Sequence, residues 1–326
     1  MVKINQMLNK FGVYVAVIVL VLLGTIIFKG KFFNPNNFLN IIDVLTMLGI
    51  ATLGMAFVTY SGQFADLSIP SIMAFCGYIT IQFIQLGIVA AVIIGILFGL
   101  LIGLINAFAI GKLRANPIIW TIAMSSCNMG LMRFIWGTRQ IYPDIQAGGE
   151  TPATIAFDNL YRMTFFDVIS LPLIVFVILI IASHFVLKKT RYGKQLQMIG
   201  SNYDVAKLTA ISPSRVIGGA FLISSFMAAV AGIFFTSFMR VGYVTVGAGY
   251  DFNAVTAVVL GGMTLAGGRG DIAGVIGGVI LIGIMNNILT LMGMGTFSQN
   301  VVIGTVFIIV VFFHTRSLRK AGLDDE

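Results

Sequence analysis

Long apolar runs recur along the whole chain, and they limit the possible folds more than any other feature. One run is VYVAVIVLVLLGTIIF at 13–28, and another is VIGGVILIGIM at 275–285. A bilayer core of about 30 Å requires roughly 20 apolar residues in each crossing helix, whereas a soluble fold has no use for such runs throughout its length. Of the 326 residues, 58% are hydrophobic and 10% are charged, and the mean hydropathy is +0.99. We therefore predict an all-α, polytopic membrane protein with one transmembrane domain over 1–326.

Charged residues, Pro, Asn and Gly divide these runs into about ten predicted transmembrane helices. The first follows Lys3 and Lys10 without a small-x-small cleavage site, so we expect a retained helix rather than a signal peptide. The eighth is short and is expected to be discontinuous or re-entrant, because such breaks require backbone buried in protein or facing water. The predicted helices lie near 12–28, 40–61, 68–86, 88–110, 117–136, 165–187, 214–238, 252–265, 272–292 and 298–314.

Basic residues predict the orientation of these helices. With the N-terminus inside, the outer segments hold only Lys29, Lys31, Arg133, Arg139, Arg162 and Arg240, which leaves 14 of the 20 Lys and Arg residues inside. This bias follows the positive-inside rule and agrees with an even helix count, so both termini are expected to be cytoplasmic. The net charge of +8 is therefore assigned to the inner membrane face, and no nucleic-acid partner is expected.

Residues for nucleotide hydrolysis or metal binding are scarce. The nearest approach to a P-loop, GTIIFKGKF at 24–32, has one residue too many and Phe in place of the hydroxyl. The only histidines, His184 and His314, have no neighbouring carboxylates or thiols, so no metal site is expected. Cys76 and Cys127 lie inside apolar runs and are expected to be buried. We expect a protein that is not an enzyme and binds no cofactor itself.

Glycine-rich segments indicate where helices pack closely. Gly95, Gly99 and Gly103 recur every four residues on one face of the fourth helix, a pattern that lets backbones approach within the chain or between subunits. The stretch GGMTLAGGRGDIAG at 261–274 interrupts the membrane domain, and its glycines allow tight turning and close helix approach. The glycines assigned to packing there are Gly261, Gly262, Gly267 and Gly268.

The same stretch carries the tripeptide Arg269-Gly270-Asp271, which is also a cell-adhesion motif. The predicted orientation puts it on the cytoplasmic side, which argues against adhesion. Asp271 is expected at the N-terminus of the next helix, where the helix dipole favours a negative charge. A weak similarity between VTYSGQFADLSIP at 58–70 and VVLGGMTLAGGRG at 258–270 suggests an internal repeat, as occurs in transporters.

Two polar segments are long enough to have structure of their own, 137–164 on the outer side and 188–214 on the inner side. In the inner one, Ser201 or Asn202 is expected to cap a short helix over Tyr203–Thr209, with Asp204 in its first turn. A short helix between basic residues suits either a docking surface or an ordinary connector at the lipid rim.

Polarity within the predicted helices comes from neutral side chains, which suit a path for an uncharged polar solute or hydrogen bonds between helices. No acidic residue is clearly expected at the bilayer centre, where an ion-coupled carrier usually needs one. The neutral residues are Asn106, Thr121, Ser125, Ser126, Asn128, Ser224, Ser225, Asn286 and Asn287.

Several blocks resemble the membrane permease subunits of ATP-binding-cassette (ABC) sugar importers of the ribose type, from about 32 to 314. Departures are Phe64-Ala65 and Pro70 beside DLS, and Val205 and Ala210 in the inner segment. Proline stiffens the backbone and removes an amide donor, so the resemblance does not assign ribose as the solute. The blocks are FFNPNNFLNII (32–42), DLS (66–68), KTRYGKQLQMIGSNYDVAKLTAIS (189–212) and GAGYDFNAVTAVVLGGMTLAGGRGDIAGVIGGVILIGIMNNILTLMGM (247–294).

The resemblance implies a multi-pass permease of the bacterial cytoplasmic (inner) membrane that works with several partners. These are a second permease subunit, identical or paralogous, a cytoplasmic ATPase that uses ATP and Mg, an extracytoplasmic solute-binding protein and the lipid bilayer. The outer segments 137–164 and 240–252 are expected to meet the binding protein. An ion-coupled secondary transporter or channel for a small polar solute is the alternative function.

Site residues are predicted on the same basis. The translocation path for a sugar or similar small polar solute is assigned to Asp66, Ser68, Asn106, Asn286 and Asn287. Coupling to the ATPase is assigned to Asn202, Tyr203, Asp204, Val205, Ala206, Lys207, Leu208, Thr209 and Arg269.

Overall fold

The computed structural model describes residues 2–165, 169–209 and 211–320, so Ala210 lies outside the described residues, as does the side chain of His314. The fold is helical apart from a short antiparallel pair, β1 (Thr164–Phe165) and β2 (Ile169–Ser170). The helices of the described part are α1 (Val2–Phe28), α2 (Pro35–Tyr60), α3 (Ile69–Gln82), α4 (Ile88–Asn106), α5 (Pro117–Trp136), α6 (Pro143–Ala147), α7 (Pro152–Arg162), α8 (Leu171–Lys189), α9 (Arg191–Ser201), α10 (Tyr203–Lys207), α11 (Pro213–Met239), α12 (Tyr250–Leu260), α13 (Ile272–Leu291) and α14 (Thr296–Lys320).

Seven of these helices are long and apolar enough to cross a membrane, and three shorter helices are also apolar. Together they occupy the ten regions predicted from the sequence. The long ones begin at Gly12, Pro35, Ile88, Pro117, Leu171, Pro213 and Ile272, and the shorter ones are Ile69–Gln82, Tyr250–Leu260 and Thr296–Phe312. An all-α membrane fold is therefore confirmed, whereas the count of ten crossings and the side of each terminus stay predictions.

Proline explains where many helices begin. All seven prolines of the chain occupy the first or second position of a helix, where the missing amide donor is not needed. Asn34 and Asn116 add side-chain caps before Pro35 and Pro117. Pro70 follows the same rule in the first turn of α3, where its missing N–H removes no hydrogen bond within the helix.

The core is built around α11, which packs against α2, α3 and α4. Small residues bring the backbones together: a Cβ on Gly232 would lie 2.4 Å from Met73 Cα, and one on Gly54 would lie 2.9 Å from Ser224 Cα. α2 is buried continuously from Thr46 to Tyr60 because α8, α11, α12 and α13 all pack against it. One predicted burial is wrong, since Cys76 is buried but Cys127 is exposed on α5, which packs inward on one side only.

Two breaks interrupt the membrane helices, and both begin with the same backbone turn. After α2, Gly62 has φ +80° and its N–H donates to Thr59 O over 3.0 Å. After α12, Gly262 also has φ +80° and its N–H donates to Val259 O over 2.9 Å. Positive φ is the conformation that glycine adopts without steric cost. The weak similarity of 58–70 and 258–270 thus extends to the turn that ends each helix, and α12 ends at Leu260, earlier than the predicted 265.

Candidate functional site

Three of the predicted path residues meet in the first break, between α2 and α3. Asp66, Ser68 and Asn106 are each fully buried. Asp66 Oδ1 accepts hydrogen bonds from the Ser68 amide, over 3.0 Å, and from the Ser68 hydroxyl, while Oδ2 accepts from Ser224 Oγ over 2.8 Å. Both carboxylate oxygens are therefore satisfied by neutral donors, as a buried carboxylate requires.

The hydrogen bonds continue from this carboxylate to the neighbouring helices. Asn106 Nδ2, at the end of α4, donates to Ser68 Oγ over 3.0 Å, and Asn106 Oδ1 accepts from Trp120 Nε1 of α5 over 3.0 Å. Thr121 Oγ1 accepts the Leu67 amide of the break over 3.0 Å. The network joins the break to α4, α5 and α11.

The other two predicted path residues lie elsewhere, on α13. Asn287 pairs with Asn37 of α2 through two amide hydrogen bonds of 2.8 and 3.1 Å. Asn286 Oδ1 is buried and accepts no hydrogen bond from any residue in the described part of the chain. An unpaired buried amide oxygen is costly unless another group reaches it. The five predicted path residues thus form two separate groups.

The inner segment contains the short capped helix that the sequence predicts. Asn202 Oδ1 accepts the Val205 amide over 3.0 Å and caps α10, and a turn over Leu208 and Thr209 ends it. Val205 and Leu208 are 55% and 88% exposed. A groove of about 300 Å³ runs between α9 and α10, lined by Gln197, Met198, Ser201, Asn202, Val205 and Ala206.

Other inner contacts hold this segment in place. The Arg114 guanidinium lies 5.5 Å from the ring centre of Tyr203, within cation–π range. The Tyr192 hydroxyl of α9 donates to Val216 O of α11 over 2.9 Å, and burial raises the pKa of that hydroxyl above its usual value. Asp204 and Lys207 lie in the first and last turns of α10, on the sides that its dipole favours.

The two breaks meet each other and α9 at a contact made of glycines, which we call the glycine junction: Gly62, Gly200, Gly267 and Gly268. The Gly268 amide donates to Tyr60 O over 2.9 Å. A Cβ on Gly200 would lie 2.2 Å from Tyr60 O and 2.5 Å from Gly268 N. One on Gly267 would lie 2.5 Å from Gly62 Cα. No side chain fits between these three backbones.

The remaining glycines assigned to packing have different surroundings. A Cβ on Gly95 would lie 2.3 Å from Thr80 Oγ1, one on Gly99 2.7 Å from Ala229 Cβ and one on Gly103 2.7 Å from Ser225 Cβ, so α4 packs on α3 and α11 within the chain. One on Gly261 would lie 2.5 Å from Gly274 O of α13. A Cβ on Gly262 would meet nothing within 4 Å, so the positive φ of this residue is what favours glycine there.

The two charged residues of the second break, Arg269 and Asp271, have different surroundings. Arg269 is exposed beside the glycine junction. Asp271 Oδ1 accepts the Ala273 amide over 3.3 Å and caps α13, and Asp271 Oδ2 lies 3.7 Å from Lys188 Nζ of α8. Asp271 therefore lies at the helix N-terminus, where the sequence predicts it.

The two outer segments are joined to each other and to α11. Ile141 and Gly242 exchange backbone hydrogen bonds of 2.9 Å, Asp158 of α7 pairs with Arg240, and Ser237 Oγ donates to Phe157 O over 2.6 Å. Burial raises the pKa of the Asp158 carboxyl, and the Arg240 guanidinium opposes that shift. A cleft of about 680 Å³ opens beside them, lined by Ile84, Gln85, Gly87, Ile88, Ala147, Thr151, Pro152 and Ala153.

Sequence reasoning missed several residues that complete these arrangements. Trp120 carried no pattern that distinguishes it from ordinary membrane residues. Gly62 and Gly200 lie in the segments 58–70 and 189–212 that the sequence singles out, but no local pattern showed that they meet. Ser224 was only one of many mid-helix hydroxyls. In the described residues, no group of three His, Cys, Asp or Glu side chains lies close enough to hold a metal ion.

Comparison with known proteins decides the family. Residues 37–311 match the family described as "Branched-chain amino acid transport system / permease component". The chain belongs to this permease family. It is a multi-pass membrane protein of the inner membrane and a transport subunit rather than an enzyme. No solved structure matches the chain.

Curated relatives match nearly the whole chain. The ribose import permease protein RbsC of Bacillus subtilis is 33% identical over 95% of this chain and 94% of its own length. The L-arabinose transport system permease protein AraH of Escherichia coli is 32% identical over 94% of this chain and 90% of its own. The L-arabinose ABC transporter permease protein AraH of Azospirillum brasilense is 28% identical over 97% of this chain and 91% of its own length.

Proposed function

We propose that this chain is the permease subunit of an ATP-driven ABC importer and forms the path for a sugar or similar small polar solute. The relatives named for ribose and arabinose support this solute class. The observation that carries the proposal is the capped helix α10, which ends in the 88% exposed Leu208 and adjoins the groove along α9. An apolar side chain so exposed outside the membrane is suited to a partner protein.

The partner on this side is a cytoplasmic ATPase that binds ATP and Mg, while this chain binds neither. α10 would enter a cleft on the ATPase, with Leu208 and Val205 as its apolar contacts and Arg269 beside it. The coupling residues are then those of α10 and its cap, from Asn202 to Thr209, together with Arg269. A second permease subunit, identical or paralogous, completes the path.

On the outer side, the joined segments 137–164 and 240–252 would receive a solute-binding protein. The ion pair of Arg240 with Asp158 and the bridge of Ile141 with Gly242 support this, because they make one rigid surface from two segments. A solute delivered by a binding protein needs little affinity from the path itself. The complete burial of Asp66, Ser68 and Asn106 fits a path that opens only during transport.

The docking of α10 is tested by charge reversal. We expect Asp204→Arg with Leu208→Asp to abolish assembly with the ATPase, because a charge replaces the exposed apolar contact. The matched control is Asp144→Arg with Ile145→Asp on α6, where Ile145 is 73% exposed on the opposite side. Unchanged ATPase assembly in the Asp204, Leu208 variant would contradict the assignment.

Uptake by proteoliposomes separates the proposal from its rival. With the ATPase inside and the loaded binding protein outside, uptake of ribose or arabinose should require internal ATP and should survive an uncoupler. An ion-coupled secondary transporter would instead take up solute without the ATPase and lose uptake with the uncoupler.

A further inference from the structure

The glycine junction brings together three pieces of backbone that are far apart in the chain. Gly62 lies in the break after α2, Gly267 and Gly268 lie in the break after α12, and Gly200 lies in the last turn of α9. The end of α9, which belongs to the inner segment 188–214, thus contacts both breaks at one place. Both breaks contact α9 through backbone atoms.

Contacts between backbones transmit displacement more directly than contacts between side chains. A long side chain can absorb a shift by changing rotamer, whereas packed backbone at van der Waals distance cannot yield without moving as a unit. Here the Gly268 amide also donates to Tyr60 O over 2.9 Å, and Gln197 Nε2 of α9 donates to Gly268 O over 3.3 Å. These bonds tie the two breaks to each other and to α9.

Each break continues into an element that matters for transport. The first leads within a few residues to Asp66 and Ser68, which accept hydrogen bonds from Ser224 of α11 and Asn106 of α4. The second leads through Asp271 into α13, which carries Asn286 and Asn287. A shift of α9 would therefore reach both groups of predicted path residues.

We propose that Gly200 is the positioning residue through which the ATPase-docking segment drives both membrane breaks as one rigid body. This inference rests on the proposed function, since it assumes that α10 receives the ATPase. Gly200 lies in helical backbone, where alanine is a better helix former than glycine. Glycine at this position is then required by contact alone, because a Cβ would meet Tyr60 O at 2.2 Å.

The test is Gly200→Ala in the complete complex with ATPase and binding protein. We expect assembly and basal ATPase activity to persist, while stimulation by the loaded binding protein falls by roughly 5- to 150-fold, the range of coupling between two sites. The control is Gly130→Ala on α5, also within a helix, where a Cβ meets nothing within 4 Å. Undiminished stimulation in Gly200→Ala overturns the proposal, and so does a parallel loss of assembly, basal and stimulated activity.

A second measurement needs no change at the junction. Spin labels at Lys194→Cys of α9 and Ala266→Cys of the second break, both exposed positions, are introduced with Cys127 replaced by Ser. Their distance should be the same without nucleotide and with the ATPase closed on a non-hydrolysable ATP analogue. A changed distance would mean that α9 slides over the break. Failure of the proposed function is recognised separately, because the unmodified complex would then show no ATP-dependent uptake.

Discussion

At the scale of single residues, the buried side chain of Asp66 shows how this fold satisfies an acidic group inside the membrane domain. Its two oxygens accept from Ser68 and Ser224, so neutral donors replace the water that the carboxylate would otherwise bind. The Asp–Leu–Ser stretch is visible in the sequence. Its partner Ser224 lies 158 positions away, and no local pattern distinguishes it from the neighbouring Ser225.

Removing the Ser224 hydroxyl should destabilise the permease. Ser224→Ala leaves Asp66 Oδ2 without that donor, and we expect the free energy of unfolding to fall by about 2 kcal/mol. Ser126→Ala is the matched control, because this exposed hydroxyl bonds only to Ile122 O of its own helix, and the change should stay within about 0.5 kcal/mol. Steric trapping in bicelles measures both. Equal stabilities of the two variants would contradict a structural role for the Ser224 bond.

At the scale of secondary structure, the sequence is most informative where an element is defined by adjacent residues. The cap at Asn202 depends on contacts within three positions, so the pattern alone predicts it. The predicted start of α2 at 40 misses Pro35 because hydropathy defines the apolar run rather than the cap. Pairings such as that of Asn37 with Asn287, 250 positions apart, arise from helix packing and have no local signal.

The cap of α10 should control binding of the ATPase. α10 has only five residues, so it depends on its ends. Asn202→Ala removes the acceptor for the Val205 amide and should cost about 1 kcal/mol, which weakens binding of the ATPase roughly fivefold. Asn202→Asp keeps an acceptor at the cap and should restore binding. Titration of purified ATPase against permease in nanodiscs measures the Kd, and equal affinity of the Ala and Asp variants would contradict this role.

At the scale of the whole molecule, α11 is the central helix, and it is long and apolar enough to cross a membrane. Its 27 residues span about 40 Å at the rise of an α-helix. The outer segments attach near its C-terminal end through Ser237 and Arg240, and α9 attaches near its start through Val216. Composition and charge predict the membrane fold and its orientation, whereas the meeting of two breaks at α9 depends on how this central helix packs its neighbours.

The orientation of the whole molecule can be tested with one exposed position on each side. In a Cys127→Ser background, Ile145→Cys on α6 and Leu208→Cys after α10 offer thiols at sites that are 73% and 88% exposed, while native Cys76 is buried. Because basic residues concentrate around α9 and α10, the positive-inside rule puts Leu208 in the cytoplasm and Ile145 outside. A membrane-impermeant thiol reagent should label only Ile145→Cys in intact spheroplasts and both variants after permeabilisation. Labelling of Leu208→Cys before permeabilisation would show that the orientation is the opposite one. α10 would then lie outside the cell, where no cytoplasmic ATPase could bind it.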